Sequence, residues 1–147
     1  MGVLIENRQD KYAITPKNLK EKAQAILSAL GSPDGELSIL LLDDPQIAVL
    51  NKEYLQREGP TNVIAFPMRE GAFAEITPDL LGDVVISLET AEKEGLAAGM
   101  SMEDRLGELM VHGILHLFGY DHETTETEAQ RMEAKSLELL EQTGPLS

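Results

Sequence analysis

The stretch His112-Gly113-Ile114-Leu115-His116-Leu117-Phe118-Gly119-Tyr120-Asp121-His122 decides how this sequence is read. It contains all 3 histidines of the 147-residue chain. Helical positions four apart share a face, one turn of ~5.4 Å apart, so His112 and His116 can grip one cation. Gly119 lets the chain leave the helix through a left-handed bend that residues with a side chain resist. The backbone then reverses over Tyr120-Asp121 and returns His122 to the same cation. Three neutral imidazoles suit Zn²⁺ at ~2.0–2.1 Å and leave a fourth position for water, whose pKa the ion lowers towards ~7. Ni²⁺ and Cu²⁺ would be accepted by the same donors.

The spacing is also that of the metzincin proteases, in which the residue after the first histidine is a glutamate acting as general base. Here that residue is Gly113, so the protease's proton carrier is missing from its place. A closed structural metal site is the bland alternative. In a chain without cysteine it would need Asp121, Glu123 or Glu108 as a further ligand. Glu108 reads either as a solvated helix residue or as an acceptor for an imidazole N–H, and Asp121 either as a turn former or as a base or acceptor. Gly107 and Gly113 lie inside the helix, where glycine costs roughly 1 kcal/mol against alanine. Both mark close packing, or Gly113 leaves room for substrate. Leu106, Leu109, Met110, Leu117 and Phe118 belong to the core.

Upstream, helices and strands alternate. Val3–Glu6 is a weak strand. Thr15-Pro16 opens a helix with a capping hydroxyl and an N1 proline, and Leu19, Ala23, Ile26, Leu27 and Leu30 recur at helical spacing up to Gly31. Glu36–Leu42 is a buried strand, and Asp44-Pro45 starts a second helix to about Tyr54 or Leu55, with Ile47, Leu50, Tyr54 and Leu55 as its apolar stripe. Thr61–Phe66 and Gly82–Ser87 are strands, joined by an irregular connection over Met68–Leu81 too short for a helical crossover, which predicts antiparallel pairing. The strands separated by helices should be parallel. Ser87 caps a helix to Ala98, Ser101 through Asp104 form a capping box for the helix from Met102 to Phe118, and Thr124 or Thr125 caps a last acidic helix to about Gln142, closed by Gly144-Pro145.

Length predicts one domain with a core that needs no staples. The absence of cysteine excludes disulfides and thiol chemistry and suits a cytosolic protein. The first residues lack the pattern of a signal peptide, and no apolar run reaches the ~20 residues of a membrane span. The net charge is −14, which repels nucleic acid in bulk. The sign is uneven: residues 1–22 are basic and residues 71–147 strongly acidic. This is either a solvated acidic face or a polarised molecule whose metal cleft is lined by the less acidic half.

Taken with its surroundings, the histidine stretch resembles the YbeY family of metal-dependent endoribonucleases. The signature H-G-x-L-H-L-x-G-Y-D-H is matched at every fixed position from His112 to His122. A second block, Pro60-Thr61-Asn62-Val63-Ile64-Ala65-Phe66-Pro67, matches P-T-[DN]-V-[LI]-S-F-P except that Ala65 replaces serine. A third, Leu81-Gly82-Asp83-Val84-Val85-Ile86-Ser87, matches L-G-D-[IV]-x-I-[SC], and Leu50-Asn51 followed by Tyr54 also fits. The family's functional arginine after the aromatic is Leu55 here, with Arg57 two residues on.

The resemblance implies a single α+β domain over residues 1–147, with a small mixed sheet of about four strands, about five helices and the metal site at the end of a central helix. It implies one Zn²⁺ held by His112, His116 and His122, and His116 and Arg57 acting in catalysis, the guanidinium clamping phosphate. It further implies cleavage of single-stranded RNA in the maturation of the small-subunit rRNA 3′ end and in ribosome quality control, in the cytoplasm and away from membranes. Small-subunit ribosomal proteins or an assembly GTPase would deliver the substrate. A metalloprotease-like hydrolase and a non-enzymatic assembly factor with a structural metal are the alternatives.

Overall fold

In the computed structural model, residues 2–68, 80–121 and 123–144 are described. The elements run β1 (Val3–Asn7), α1 (Pro16–Ala29), β2 (Glu36–Leu42), α2 (Asp44–Leu55), β3 (Val63–Pro67), β4 (Leu80–Ser87), α3 (Leu88–Ala98), α4 (Met102–Leu117) and α5 (Glu126–Thr143). They form an α+β domain on one four-stranded sheet of order β1-β2-β4-β3. β1 and β2 pair in parallel, as do β2 and β4, while β3 runs antiparallel to β4. This is the mixed pairing that the connection lengths predict. Residues 69–79 of the expected irregular connection lie outside the described residues, and Leu80 and Leu81 belong to β4.

The sheet separates two apolar layers. On one face Ile39, Leu41, Val84 and Ile86 pack against Ala23, Ile26 and Leu27 of α1 and Leu106, Met110 and Ile114 of α4, with Met132 and Leu139 of α5 behind them. On the other face α2 covers a smaller cluster of Leu42, Ile47, Ile64 and Val85. Complete burial of such aliphatic side chains stabilises by about 1.5–3 kcal/mol each, so the larger layer sets where α4 lies.

Several expected details differ. Thr15 is the N-cap of α1 but makes no side-chain capping bond; Pro16 alone sets the start. The cap of α2 is Asp43, not Asp44: its carboxylate accepts from Gln46 N at 2.9 Å while Gln46 Oε1 accepts from Asp43 N at 3.0 Å. The α2 stripe is cut short, because Tyr54 and Leu55 overhang the sheet and are 59% and 41% exposed, and Asn51 takes the buried place instead. β3 starts two residues late, at Val63. Phe118 is only half-buried, as the C-cap of α4. No helix among the described residues is long and apolar enough to cross a membrane.

Released from capping, Asp44 joins α2 to α3. Its carboxylate accepts from Ser87 Oγ at 2.6 Å, Thr90 Oγ1 at 2.5 Å and Lys93 Nζ at 2.8 Å. Glu89 returns the contact by accepting from Asp44 N at 2.9 Å and pairs with Lys11 at 3.2 Å. Burial pushes the Asp44 carboxyl up, but the bonds from Lys93, Ser87 and Thr90 outweigh it and hold it below its ordinary 3.8. A folded-state pKa below the unfolded one gives stability that is full above the ordinary value and lost as pH falls through the depressed one. Asp44→Asn should therefore lower stability by about 1–2 kcal/mol at pH 7, and chemical unfolding of both proteins from pH 7 to pH 3 should show the gap closing in acid. An unchanged gap at pH 3 would refute the role of the charge.

Candidate metal centre

Helix α4 begins at Ser101, whose Oγ accepts from Asp104 N at 3.0 Å. It ends where Gly119, at φ 92°, turns the chain away; Gly119 N donates to His116 O at 3.0 Å. That left-handed geometry is the bend expected after the second histidine. His112 and His116 fall on the face of the helix beside β3 and open into one cleft. Their Nε2 atoms lie 3.0 Å apart, with ring centroids 4.5 Å apart and planes crossing at 78°. Two donors ~2.05 Å from a tetrahedral ion stand about 3.3 Å apart. The pair therefore fits a shared Zn²⁺ after a small opening, and its neutral nitrogen donors suit that ion.

His122 lies outside the described residues, as does any geometry it would complete. Among the described residues no group of three His, Cys, Asp or Glu is placed to hold a metal ion. Of the other acids weighed, Asp121 acts as a turn former, its Oδ1 accepting from Glu123 N at 2.8 Å. Glu108 pairs with Arg105 at 2.9 Å.

The cleft has a volume of about 580 Å³ and is lined by Leu55, Arg57, residues 61–65, Pro67, His112, Gly113, His116, Gly119, Tyr120, Asp121 and Glu123. Leu55, Arg57, residues 61–65 and Pro67 come from the less acidic half of the chain, and Arg57 shares the cleft with Asp121 and Glu123 of the acidic half. Arg57 reaches the cleft because α2 ends in a tight turn. Gln56 takes a left-handed conformation at φ 54°, an uncommon state for a residue with a side chain. Arg57 N then donates to Asn51 O at 3.2 Å. The buried Asn51 side chain holds the far end of the loop, donating through Nδ2 to Gly59 O at 2.9 Å. Leu55 lines the same cleft as Arg57.

Polar residues to which the motifs assign no role brace this wall. Asn62 Nδ2 donates to the Glu94 carboxylate at 3.2 and 3.3 Å, and Asn62 Oδ1 accepts from Val63 N at 2.7 Å. Arg105 bonds Glu94 at 3.0 Å and Glu108 at 2.9 Å. Burial lowers the Arg105 guanidinium, but the bonds from Glu108 and Glu94 outweigh it and leave its pKa raised. Asn51 had one sequence signal, a polar residue four positions after Ile47 inside an apolar stripe. Asn62 had one as well, its place in the Pro60–Pro67 block, while Glu94 and Arg105 had none, because the three residues come from separate segments.

Both helix glycines mark close packing. A Cβ on Gly113 would stand 2.6 Å from Val84 Cγ1 and 3.1 Å from Val63 Cγ2; one on Gly107 would stand 3.1 Å from Lys22 Cε. Position 113 thus faces the sheet, and a glutamate there would have no room.

The fold and its histidine-lined cleft define a small α+β hydrolase. Comparison with known proteins gives the particular kind. The chain matches the endoribonuclease YbeY family over residues 4–144. It is 50% identical over 140 residues to the endoribonuclease YbeY of Geobacter metallireducens, covering 95% of this chain and 93% of that one. With the protein of the same name from Aquifex aeolicus it shares 44% over 115 residues, covering 77% and 73%. The solution structure of a Thermotoga maritima protein superposes with a TM-score of 0.70 at 28% identity, covering 96% of this chain and 88% of that one. The chain belongs to the endoribonuclease YbeY family.

Gly113→Ala tests the close approach of helix to sheet. With a Cβ 2.6 Å from Val84 Cγ1, overpacking of about 2–3 kcal/mol outweighs the ~1 kcal/mol gain in helix propensity, so denaturant unfolding should show a net loss of about 1–2 kcal/mol. A variant as stable as the parent would refute the contact.

Proposed function

We propose that this protein is a zinc-dependent endoribonuclease that cuts single-stranded RNA, acting in maturation of the small-subunit rRNA 3′ end and in ribosome quality control in the cytoplasm. The observation that carries the reading is the convergence of His112 and His116 Nε2, 3.0 Å apart, in a cleft that also holds Arg57. Family membership supports RNA as the substrate. His112, His116 and His122 would hold the ion. When bound, it supplies the Lewis acidity that lets water or a ribose hydroxyl lose a proton near neutral pH.

The chain's own residues supply the remainder. Arg57 offers a planar pair of donors to phosphate and offsets the negative charge that builds up during phosphoryl transfer. Asn51 fixes the loop that presents it, through Arg57 N and Gly59 O. The Asn62–Glu94–Arg105 chain holds the opposite end of the wall in register. The whole-chain charge of −14 works against collecting RNA from bulk, so delivery by small-subunit ribosomal proteins or an assembly GTPase fits the surface. A metzincin-like protease fits poorly, since Val84 occupies the space its glutamate would need.

The test uses purified protein with its zinc counted, offered single-stranded RNA and an unstructured protein. His116→Ala should lower zinc affinity by more than the about 10–100-fold that losing an outer partner costs and should abolish RNA cleavage. Arg57→Ala should keep the zinc and cut more slowly by about 100-fold. Peptide cleavage by the parent, or full RNA cleavage by His116→Ala, would overturn the reading.

A further inference from the structure

Among the described residues β3 is an edge strand, hydrogen-bonded to β4 alone. Its phase is fixed at both ends: Ser87 N donates to Asn62 O at 3.0 Å, and Met68 N donates to Leu81 O at 2.9 Å. In an antiparallel ladder, alternate residues direct both backbone groups to the same neighbour. Ile64 and Phe66 therefore face β4, while Val63, Ala65 and Pro67 face outward. Those three residues line the cleft that holds His112 and His116. Two of the three outward donors are spent or missing. Val63 N already donates to Asn62 Oδ1 at 2.7 Å, and Pro67 has no N–H. Among the described residues Ala65 is left with a donor and an acceptor side by side on the cleft wall.

We infer that Ala65 N–H and C=O bind the Watson–Crick edge of one unpaired nucleobase, and that this contact lets the cleft tell single-stranded from paired RNA. The inference rests on the nuclease reading above. Each nucleobase carries a neighbouring donor and acceptor on that edge, and in a duplex both are occupied by the partner base. Proteins that bind single strands commonly read this edge. A neutral backbone pair needs no basic platform, which matters in a chain of net charge −14. It is also indifferent to the side chain, so the change from the family's serine to Ala65 leaves it intact.

The experiment compares binding of a deoxyuridine pentamer with that of its N3-methyl form, whose Watson–Crick edge is blocked. The parent, Ala65→Pro and Ala65→Ser are measured by fluorescence anisotropy. The proline removes only an outward N–H, so the β3–β4 ladder survives and melting should change little; Phe66→Pro, which breaks the ladder, serves as the destabilised control. The parent and Ala65→Ser should prefer the unmethylated pentamer about five-fold, as one hydrogen bond provides. Ala65→Pro, which keeps the carbonyl and loses the N–H that donates to the base, should bind the unmethylated pentamer about five-fold more weakly than the parent does. In parallel, the Ala65 amide resonance of the ¹⁵N-labelled parent should move on adding the unmethylated pentamer. A parent without preference, a folded Ala65→Pro that binds the unmethylated pentamer as tightly as the parent, or an unmoved Ala65 amide overturns the inference; the amide result decides if Ala65→Pro does not fold. Binding is read without cleavage. A parent that discriminates but never cuts RNA therefore removes the nuclease reading alone, and one that cuts without discriminating removes this one.

Discussion

Helix α4 lies against the sheet at a distance that leaves no room for a methyl group at position 113, where a Cβ would meet Val84 Cγ1 at 2.6 Å. Everything chemical in the molecule depends on that approach. It brings the helix face carrying His112 and His116 level with the edge of β3, so that one cleft is lined by imidazoles on one side and strand backbone on the other. A side chain at this point would push the helix outward and separate the two walls. The same constraint leaves no room for the glutamate that a protease of this histidine spacing carries after its first histidine.

The approach is held by packing rather than by polar bonds. Met110 and Ile114 are fully buried between α1 and the sheet, and the interior is as dense as a crystal of small molecules. Polar links act at the margins. Asp44 ties α2 to α3, and Lys22 Nζ donates to Thr143 Oγ1 and Gly144 O, closing the last helix onto α1 and α4. Burial lowers the pKa of that lysine, with Asp104 opposing the shift. These contacts fix the frame on which the cleft is built and leave its walls to loops and a strand edge.

The cleft combines few charges with many backbone groups. Among the described residues Arg57 is the cation of its lining, and it reaches the wall where Gln56 takes a left-handed turn. A chain so acidic gains little from general attraction to RNA. Such a surface favours the two proposals made above, recognition by hydrogen bonds at a strand edge and delivery by partner proteins.

The sequence by itself determined the alternation of helices and strands, the parallel and antiparallel pairing, the bend at Gly119 and the sharing of one face by His112 and His116. Periodicity, capping residues and connection length are local, and they act within a few residues of where they are read. Only the tertiary structure decided that Asp43 caps α2 and frees Asp44 for α3, that Tyr54 and Leu55 overhang the sheet, and that Gly113 serves packing. It alone joined Asn62, Glu94 and Arg105 into the wall of the cleft. These outcomes depend on which distant atoms compete for the same space or the same proton, and that competition is set only once the layers have closed.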